Sequence, residues 1–421
     1  MEELKRVLEI HKQEYLRRLT DVVSLDTQVV GQGIDGGKER AGQEYISRLF
    51  ESMNADEVRT DSMSEESVRR VYAAHREGNL GHNQNDRYNV YATFKGTGGR
   101  SLLFNGHMDV MPPGDAAQWK YPPFTPTVEG NRLYGRGTAD MKGGLMAAVM
   151  AVQLLKDAGI PLPGDVVITS VCDEEGGGNG SIQAIDSGIK ADGVVVCEGT
   201  SDEVILAHMG FVFLRVTVEG KANHSGAKWL GVSALDKMRK IMAELDELEH
   251  RWLLTYKHPL LPAPNLNVGT IHGGTAGSTV PGSCTIEMCV HYLPNCMNHD
   301  QVVAEVTDAV IRTASSDLWM KNHMPVVTEF QAGGAFEMEA SPFVESFCRA
   351  YKNARGKEVR KTGSPAGCDS RLWKNIARCP TIQFGPGNLE QCHAVNEYLE
   401  LDAYYQAILI YAELILEWCK K

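Results

Sequence analysis

Three stretches of this chain are apolar almost without interruption: "SLLFNGHMDV" (101–110), "GDVVITSVCDEE" (164–175) and "DGVVVCEG" (192–199). Strands buried on both faces read this way, because neither side of the pleat meets water. A shorter β-type run, "YNVYATFKG" (88–96), precedes them. Helical segments stand between the strands at 141–157 and 181–188, and amphipathic spacing predicts further helices at the N-terminus and over 39–55. The polar stretch between them, 61–86, carries few core signals and reads as mostly surface. Strands alternating with helices predict an α/β domain with a largely parallel sheet.

Near residue 206 the pattern changes. "AHMGFVFLRVTVEGKA" (207–222) alternates apolar and polar positions, as in a strand with one wet face. A charged helix follows (232–250), then alternating strands at 265–274 and 282–294, then a helix at 299–314. This order predicts a small two-layer α+β domain, spanning 207–322, inserted into a larger domain made of 1–206 and 323–421. The last part returns to buried elements at 339–354, 379–387 and 399–419. No internal repeat is present.

Composition narrows the functional classes. A net charge of −12 argues against nucleic acid or an anionic membrane as partner, and no apolar run is long enough to span a bilayer. The N-terminal segment is charged and amphipathic, unlike a secretory signal. The ten cysteines stand singly, with no C-x-x-C pair, which points to a reducing, cytoplasmic setting.

In an open α/β sheet, ligands collect beyond the carboxyl ends of the strands. At those ends stand His107 and Asp109, then Asp173, Glu174 and Glu175, then Glu198, with His393 following the last run after a short loop. Asp140, at the entry to the 141–157 helix, joins them. Each has an ordinary reading alone: Asp140 as a helix N-cap, the Glu pair before three glycines as a solvated turn. Together, that many carboxylates repel one another unless cations sit among them. Mixed imidazole and carboxylate donors suit Zn²⁺, with Mn²⁺ or Co²⁺ as substitutes.

The run "GHMDVMPPG" (106–114) with "PPFTPTVEGNRLYGRGTADMKGG" (122–144) resembles the signature of the M20 metallopeptidase and deacylase family. The similarity continues, in the family's order, through "DEEGGGNGS" (173–181), "CEGT" (197–200), "KANHSG" (221–226), "GGTAGSTVPG" (273–282), "GCDSRLW" (367–373) and "FGPGNLEQCHAVNEY" (384–398). The resemblance implies a zinc-dependent exopeptidase-like catalytic domain with an inserted dimerisation, or lid, domain, and a homodimer. By matching motifs it implies that His107, Asp140 and Glu198 bind one Zn²⁺. Asp140, Glu175 and His393 would bind a second, with Asp140 bridging. Asp109 would orient His107, and Glu174 would be the general acid/base. His224 would reach the partner's active site to stabilise an oxyanion, and the Asp140–Met141 peptide would be cis.

The amide to be cleaved is less determined. Glutamate at Glu198 goes, in the family, with deacylases and carboxypeptidases, which favours a small N-acyl amino acid or related N-acyl amine. A dipeptidase or carboxypeptidase is the alternative on the same scaffold. A non-catalytic dimeric binding module fits worse, because every expected ligand and the acid/base are present. Two positions depart from the family pattern: Ser278 where asparagine is usual, and His291 where many deacylases carry an arginine. A neutral imidazole is a weaker carboxylate clamp than a guanidinium, and His291 has an alternative as a strand residue packing on the sheet face. Arg371 remains as a candidate clamp, with a surface ion pair as its alternative. Formyl, acetyl, succinyl and aminoacyl groups, and amides of heterocyclic amines, all stay open.

Overall fold

A computed structural model describes residues 1–29 and 36–420. The chain forms two compact units, one made of Met1–Leu206, Met338–Thr362 and Cys368–Lys421, the other of Ala207–Glu337 and Gly363–Gly367. Among the described residues, no helix is long and apolar enough to cross a membrane.

The sheet of the first unit has four parallel strands at its centre, in the order Val166–Val171, Leu102–His107, Val194–Val196 and Thr381–Gln383. Antiparallel strands flank them: Tyr88–Phe94 and then Glu57–Ser62 on one side, and the strand beginning at Val204 on the other. The parallel centre is buried on both faces, which is why its sequences are continuously apolar.

The helix Gly143–Asp157 is apolar nearly all round because it lies between other elements. It packs on the Leu102–His107 strand, the N-terminal helix Glu2–Val23 and the final helix Leu401–Trp418. Its approach to the sheet requires glycine at its first turn: a Cβ on Gly144 would stand 1.8 Å from the carbonyl oxygen of Cys197. The start of this helix is thereby pressed against the strand end that carries Glu198.

The 61–86 stretch is mostly exposed, as its polarity predicts, but part of it is ordered structure and buried. It holds the end of the Glu57–Ser62 strand and a helix, Glu65–His75, whose Ser64 hydroxyl caps the Ser67 N–H. Beyond the helix, Glu77 and His82 are buried, as is Arg87 just after.

In the second unit, a four-stranded antiparallel sheet runs Asn265–Gly273, Ser283–Tyr292, Gly210–Glu219, Val326–Gly333. Helices Ala234–Thr255 and His299–Ser316 cover one face, over a core that includes Val212, Leu214, Ile286 and Met288. The 207–322 boundary is therefore too short. Val326–Gly333 pairs with the Gly210–Glu219 strand, so the unit continues to Glu337.

Candidate active site

The carboxyl ends of the parallel centre and the loops after them deliver the chemistry. His107 ends its strand, Glu174 and Glu175 sit in the turn after Val166–Val171, and Glu198 follows Val194–Val196. His393 comes from the loop after Thr381–Gln383. Asp140 lies in an irregular turn, with non-helical backbone, before the Gly143–Asp157 helix.

These side chains converge. His107 Nε2 lies 3.1 Å from Asp140 Oδ1 and 3.6 Å from Glu198 Oε1. His393 Nε2 lies 3.4 Å from Asp140 Oδ2 and 2.9 Å from Glu175 Oε2. Donor atoms of His107, Glu174 and Glu198 fall within 4.8 Å of one another, as do those of His107, Asp140 and Glu175. The Asp140–Met141 peptide is cis.

His107 Nδ1 is 2.8 Å from the backbone carbonyl of Asp109, to which it can only donate. Its Nε2 lone pair then faces Asp140 and Glu198. An imidazole lone pair against two carboxylates is repulsive unless a proton or a metal ion stands between them. Without a metal ion the cluster relieves the conflict with protons. Burial lowers the His107 pKa, but the hydrogen bonds of Asp140 and Glu198 outweigh it and raise the group well above its usual value. Hydrogen bonds to Asp140 and Glu175 raise His393 to about 10. Burial, with Asp140 nearby, pushes Glu175 up to about 7 and raises Glu198. Burial and the charge of Asp369 raise Glu174 well above the carboxylate range. For Asp140, burial acts upward, but His107 and His393 overturn it and hold the carboxyl below its usual range. Such a donor set fits divalent cations of the Zn²⁺ type.

The carboxylate of Asp109 does something other than orient His107. It stands 3.7 Å from His107 Nδ1, whereas its two oxygens accept the backbone N–H groups of Glu174 (3.3 Å) and Glu175 (3.0 Å). Asp109 holds the turn that bears both glutamates, and its carbonyl, not its carboxylate, orients the imidazole.

Arg371 is tied into the protein. It is buried, its Nε donates to Glu77 at 2.9 Å, and its other nitrogens donate to the carbonyls of Cys368 (2.7 Å) and Gly177 (3.4 Å). The carboxylate it clamps belongs to the protein, and the pair is buried, not superficial.

His224, Ser278 and His291 lie in the second unit. His224 is exposed, faces Thr279 across a two-residue ladder, and its Nδ1 accepts the Gly226 N–H. Ser278 is exposed, and its carbonyl accepts the Ser225 N–H. His291 sits half-buried on the Ser283–Tyr292 strand, 3.3 Å from Asn265 Oδ1, and burial lowers its pKa. This is the sheet-face position.

Two residues near the site, Glu397 and Asp369, escaped the sequence reading, and a third, Asp173, stood among the strand-end carboxylates without a role. Glu397 is fully buried: its Oε1 accepts the N–H groups of Ala139 and Asp140, and its Oε2 those of Gly137 and the Arg136 guanidinium. Asp369 is fully buried, accepts the Ser181 hydroxyl at 2.5 Å, and bears electrostatically on Glu174. Asp173 is fully buried under the Glu174–Glu175 turn. Glu397 and Asp369 lie inside the motifs quoted above, and Asp173 adjoins the Glu pair, but nothing local marks what they bind.

Imidazoles and carboxylates gathered at the carboxyl edge of a parallel sheet define a metal-dependent hydrolase. The chain belongs to Peptidase family M20/M25/M40, whose family model matches residues 103–417. It is a hydrolase of amide or peptide C–N bonds. A relative in Halalkalibacterium halodurans, N-formyl-4-amino-5-aminomethyl-2-methylpyrimidine deformylase, is 34% identical over 359 residues, covering 79% of this chain and 83% of that protein. Acetylornithine deacetylase of Aliivibrio salmonicida is 31% identical over 332 residues, covering 77% and 83%. The fold matches that of the M20 family metallo-carboxypeptidase Sso-CP2 from Sulfolobus solfataricus, with a TM-score of 0.75 at 19% identity, over 96% of this chain and 99% of the other.

Proposed function

We propose that this protein is a dinuclear amidohydrolase that cleaves a small N-acyl amine, with Zn²⁺ as metal and Co²⁺ or Mn²⁺ as substitutes. The observation that carries the reading is the way Asp140 divides its oxygens, Oδ1 toward His107 and Oδ2 toward His393. His107, Asp140 and Glu198 would hold one ion, and Asp140, Glu175 and His393 the other. Bound there, the ions supply Lewis acidity toward the scissile carbonyl and lower the pKa of water.

The protein's own groups do the rest. Glu174, half-buried beside the donor atoms, takes the proton of the attacking water and returns it to the leaving nitrogen. Asp109 keeps Glu174 and Glu175 in register through their N–H groups. Glu397 holds the backbone of Asp140 in the same way. By family resemblance the protein is a homodimer, and the partner subunit's His224 stabilises the developing oxyanion. The free thiols of its cysteines support a reducing, cytoplasmic setting.

Two observations bear on the substrate. The relatives named above remove formyl and acetyl groups from amines. The guanidinium of Arg371 is buried and donates its Nε to Glu77, so its charge is already matched within the protein. Both favour an N-acyl amine, with the formamide of an aminomethylpyrimidine the first compound to test. The test is a hydrolysis screen of N-formyl and N-acyl amines, N-acyl amino acids and dipeptides with Zn- and Co-loaded protein. Turnover of N-acyl amines is expected. Turnover of dipeptides alone would replace the reading with a dipeptidase, and no turnover with both metal sites filled would overturn it.

A further inference from the structure

The turn that bears Glu174 and Glu175 opens at Asp173, whose φ of +59° lies in the left-handed region that disfavours a residue with a side chain. Something must hold it there. The buried Asp173 carboxylate receives Arg87 Nη2 at 3.0 Å and Asn179 Nδ2 at 2.7 Å, and both of its oxygens lie 3.0 Å from His82 Nδ1. The Asn179 N–H donates to the Asp173 carbonyl at 3.2 Å. Arg87 is tied back in turn, with Glu39 accepting from both Nε and Nη2.

His82 and Arg87 come from the stretch 77–87, which grips the turn at more than one place. Asn79 Nδ2 donates to the Gly176 carbonyl at 3.0 Å, and Asn179 joins the backbone of Asn79 through its carboxamide. Glu77 pairs with Arg371. The His82 ring leaves room for no side chain at position 176: a Cβ on Gly176 would fall 2.5 Å from His82 Cε1 and 2.4 Å from Asp173 Oδ1. The turn is thus held from both sides, by Asp109 at the glutamates' N–H groups and by 77–87 through Asp173.

We propose that His82 and Arg87, acting through Asp173, are positioning residues for the acid/base Glu174 and the metal-binding Glu175. The proposal rests on the roles given to those two glutamates above. Neither His82 nor Arg87 needs to touch substrate or metal. They fix the direction from which the glutamates enter the site, in the way outer hydrogen-bond partners fix metal ligands. His82 Nδ1 must donate to the carboxylate, and its buried Nε2 has no hydrogen-bond partner among the described residues, which fits the Nδ1–H tautomer.

That tautomer defines the test. Asparagine places an amide N–H close to the Nδ1 position, glutamine places it farther out near Nε2, and leucine has none. His82→Asn, His82→Gln, His82→Leu and Glu174→Gln are made in the full-length protein and loaded with Zn²⁺. Each is assayed for kcat and KM, for Zn²⁺ affinity by chelator competition, and for thermal midpoint. His82→Leu and His82→Gln are expected to lose roughly tenfold or more in kcat, or in affinity for one of two Zn²⁺, with KM little changed. His82→Asn is expected to recover most of both losses. Should His82→Leu not fold, the comparison of His82→Asn with His82→Gln decides. Wild-type kcat and Zn²⁺ affinity in His82→Gln, or equal losses in His82→Asn and His82→Gln, would overturn the proposal. Glu174→Gln separates the levels: its inactivity beside a fully active His82→Gln refutes the positioning alone, and its full activity refutes the acid/base assignment beneath it.

Discussion

Glu397 accepts the backbone N–H of Asp140 at 3.1 Å, across 257 positions of sequence, so the carboxylate that faces both His107 and His393 is aimed by another carboxylate that faces the main chain. Burial raises the Glu397 pKa, while the Arg136 guanidinium, 2.8 Å away, pulls it down. Breaking a buried ion pair on one side leaves the other charge uncompensated. Glu397→Ala is expected to cost about 3–5 kcal/mol of stability, measured by denaturant unfolding, and to lower metal affinity as well. An unfolding free energy equal to wild type would refute the brace.

Asp140 itself separates two readings of the helix entry. If it only capped the Gly143–Asp157 helix, Asp140→Asn would cost about 1 kcal/mol or less. As the carboxylate shared by His107 and His393, its replacement is expected to abolish metal retention and activity together. Elemental analysis after dialysis, with an activity assay on the same sample, checks this.

Glu174→Ala is expected to keep both metal ions and lose turnover by about 10²–10⁴-fold, the usual weight of a general acid/base. Loss of metal together with activity would instead make Glu174 a ligand, an arrangement its closeness to His107 and Glu198 makes worth testing.

His224→Ala is expected to cripple turnover without unfolding the protein. Mixed dimers of His224→Ala with Glu174→Ala should regain part of the activity, since one of the two sites then combines an intact Glu174 with the partner subunit's His224. A chain that sizes as an active monomer would contradict that role.

The second unit carries a pH-dependent anchor at Asp317. Burial acts to raise its pKa, but Lys240 and Lys237, at 2.7 and 2.9 Å, and the N–H groups of Met320 and Trp319 hold it well below the usual range. A carboxyl depressed on folding stabilises the native state above its unfolded pKa, near about 4, and loses that contribution as pH falls toward the folded value. The stability gap between wild type and Asp317→Asn is therefore expected to be widest at neutral pH. It should be about 1.5–3 kcal/mol there, the weight of hydrogen bonds to a charged group, and shrink below about pH 4. Urea unfolding at two pH values checks it, and a gap that widens on acidification would refute it.

Much of the site was legible because its residues stand at strand ends. Continuous apolar runs marked the parallel strands, and His107, Glu174, Glu175 and Glu198 follow those runs directly. The strand Val326–Gly333 left no such trace: its apolar Val326 and Phe330 are exposed, and only its pairing with Gly210–Glu219 moves the boundary past 322. The stretch 61–86 is mostly exposed, as its polarity suggests, but its buried part was not legible, for a physical reason. Glu77 and His82 are buried as partners of other polar residues, and a pairing such as Glu77 with Arg371, 294 positions apart, has no periodicity to read. The role of Arg371 changed with that partner, from a clamp for substrate to a strut of the protein.

By itself, the sequence determined the elements, the parallel centre and the gathering of imidazoles and carboxylates at its edge, since burial and hydrogen-bonding capacity are properties of residue type and spacing. Only the tertiary structure decided which charges meet. It paired Arg87 with Glu39 and Asp173, turned Glu397 onto the backbone of Asp140, and gave Asp109 to the glutamates' N–H groups. A buried charge takes whatever partner the fold brings within about 3 Å, and that distance is set by packing, not by position along the chain.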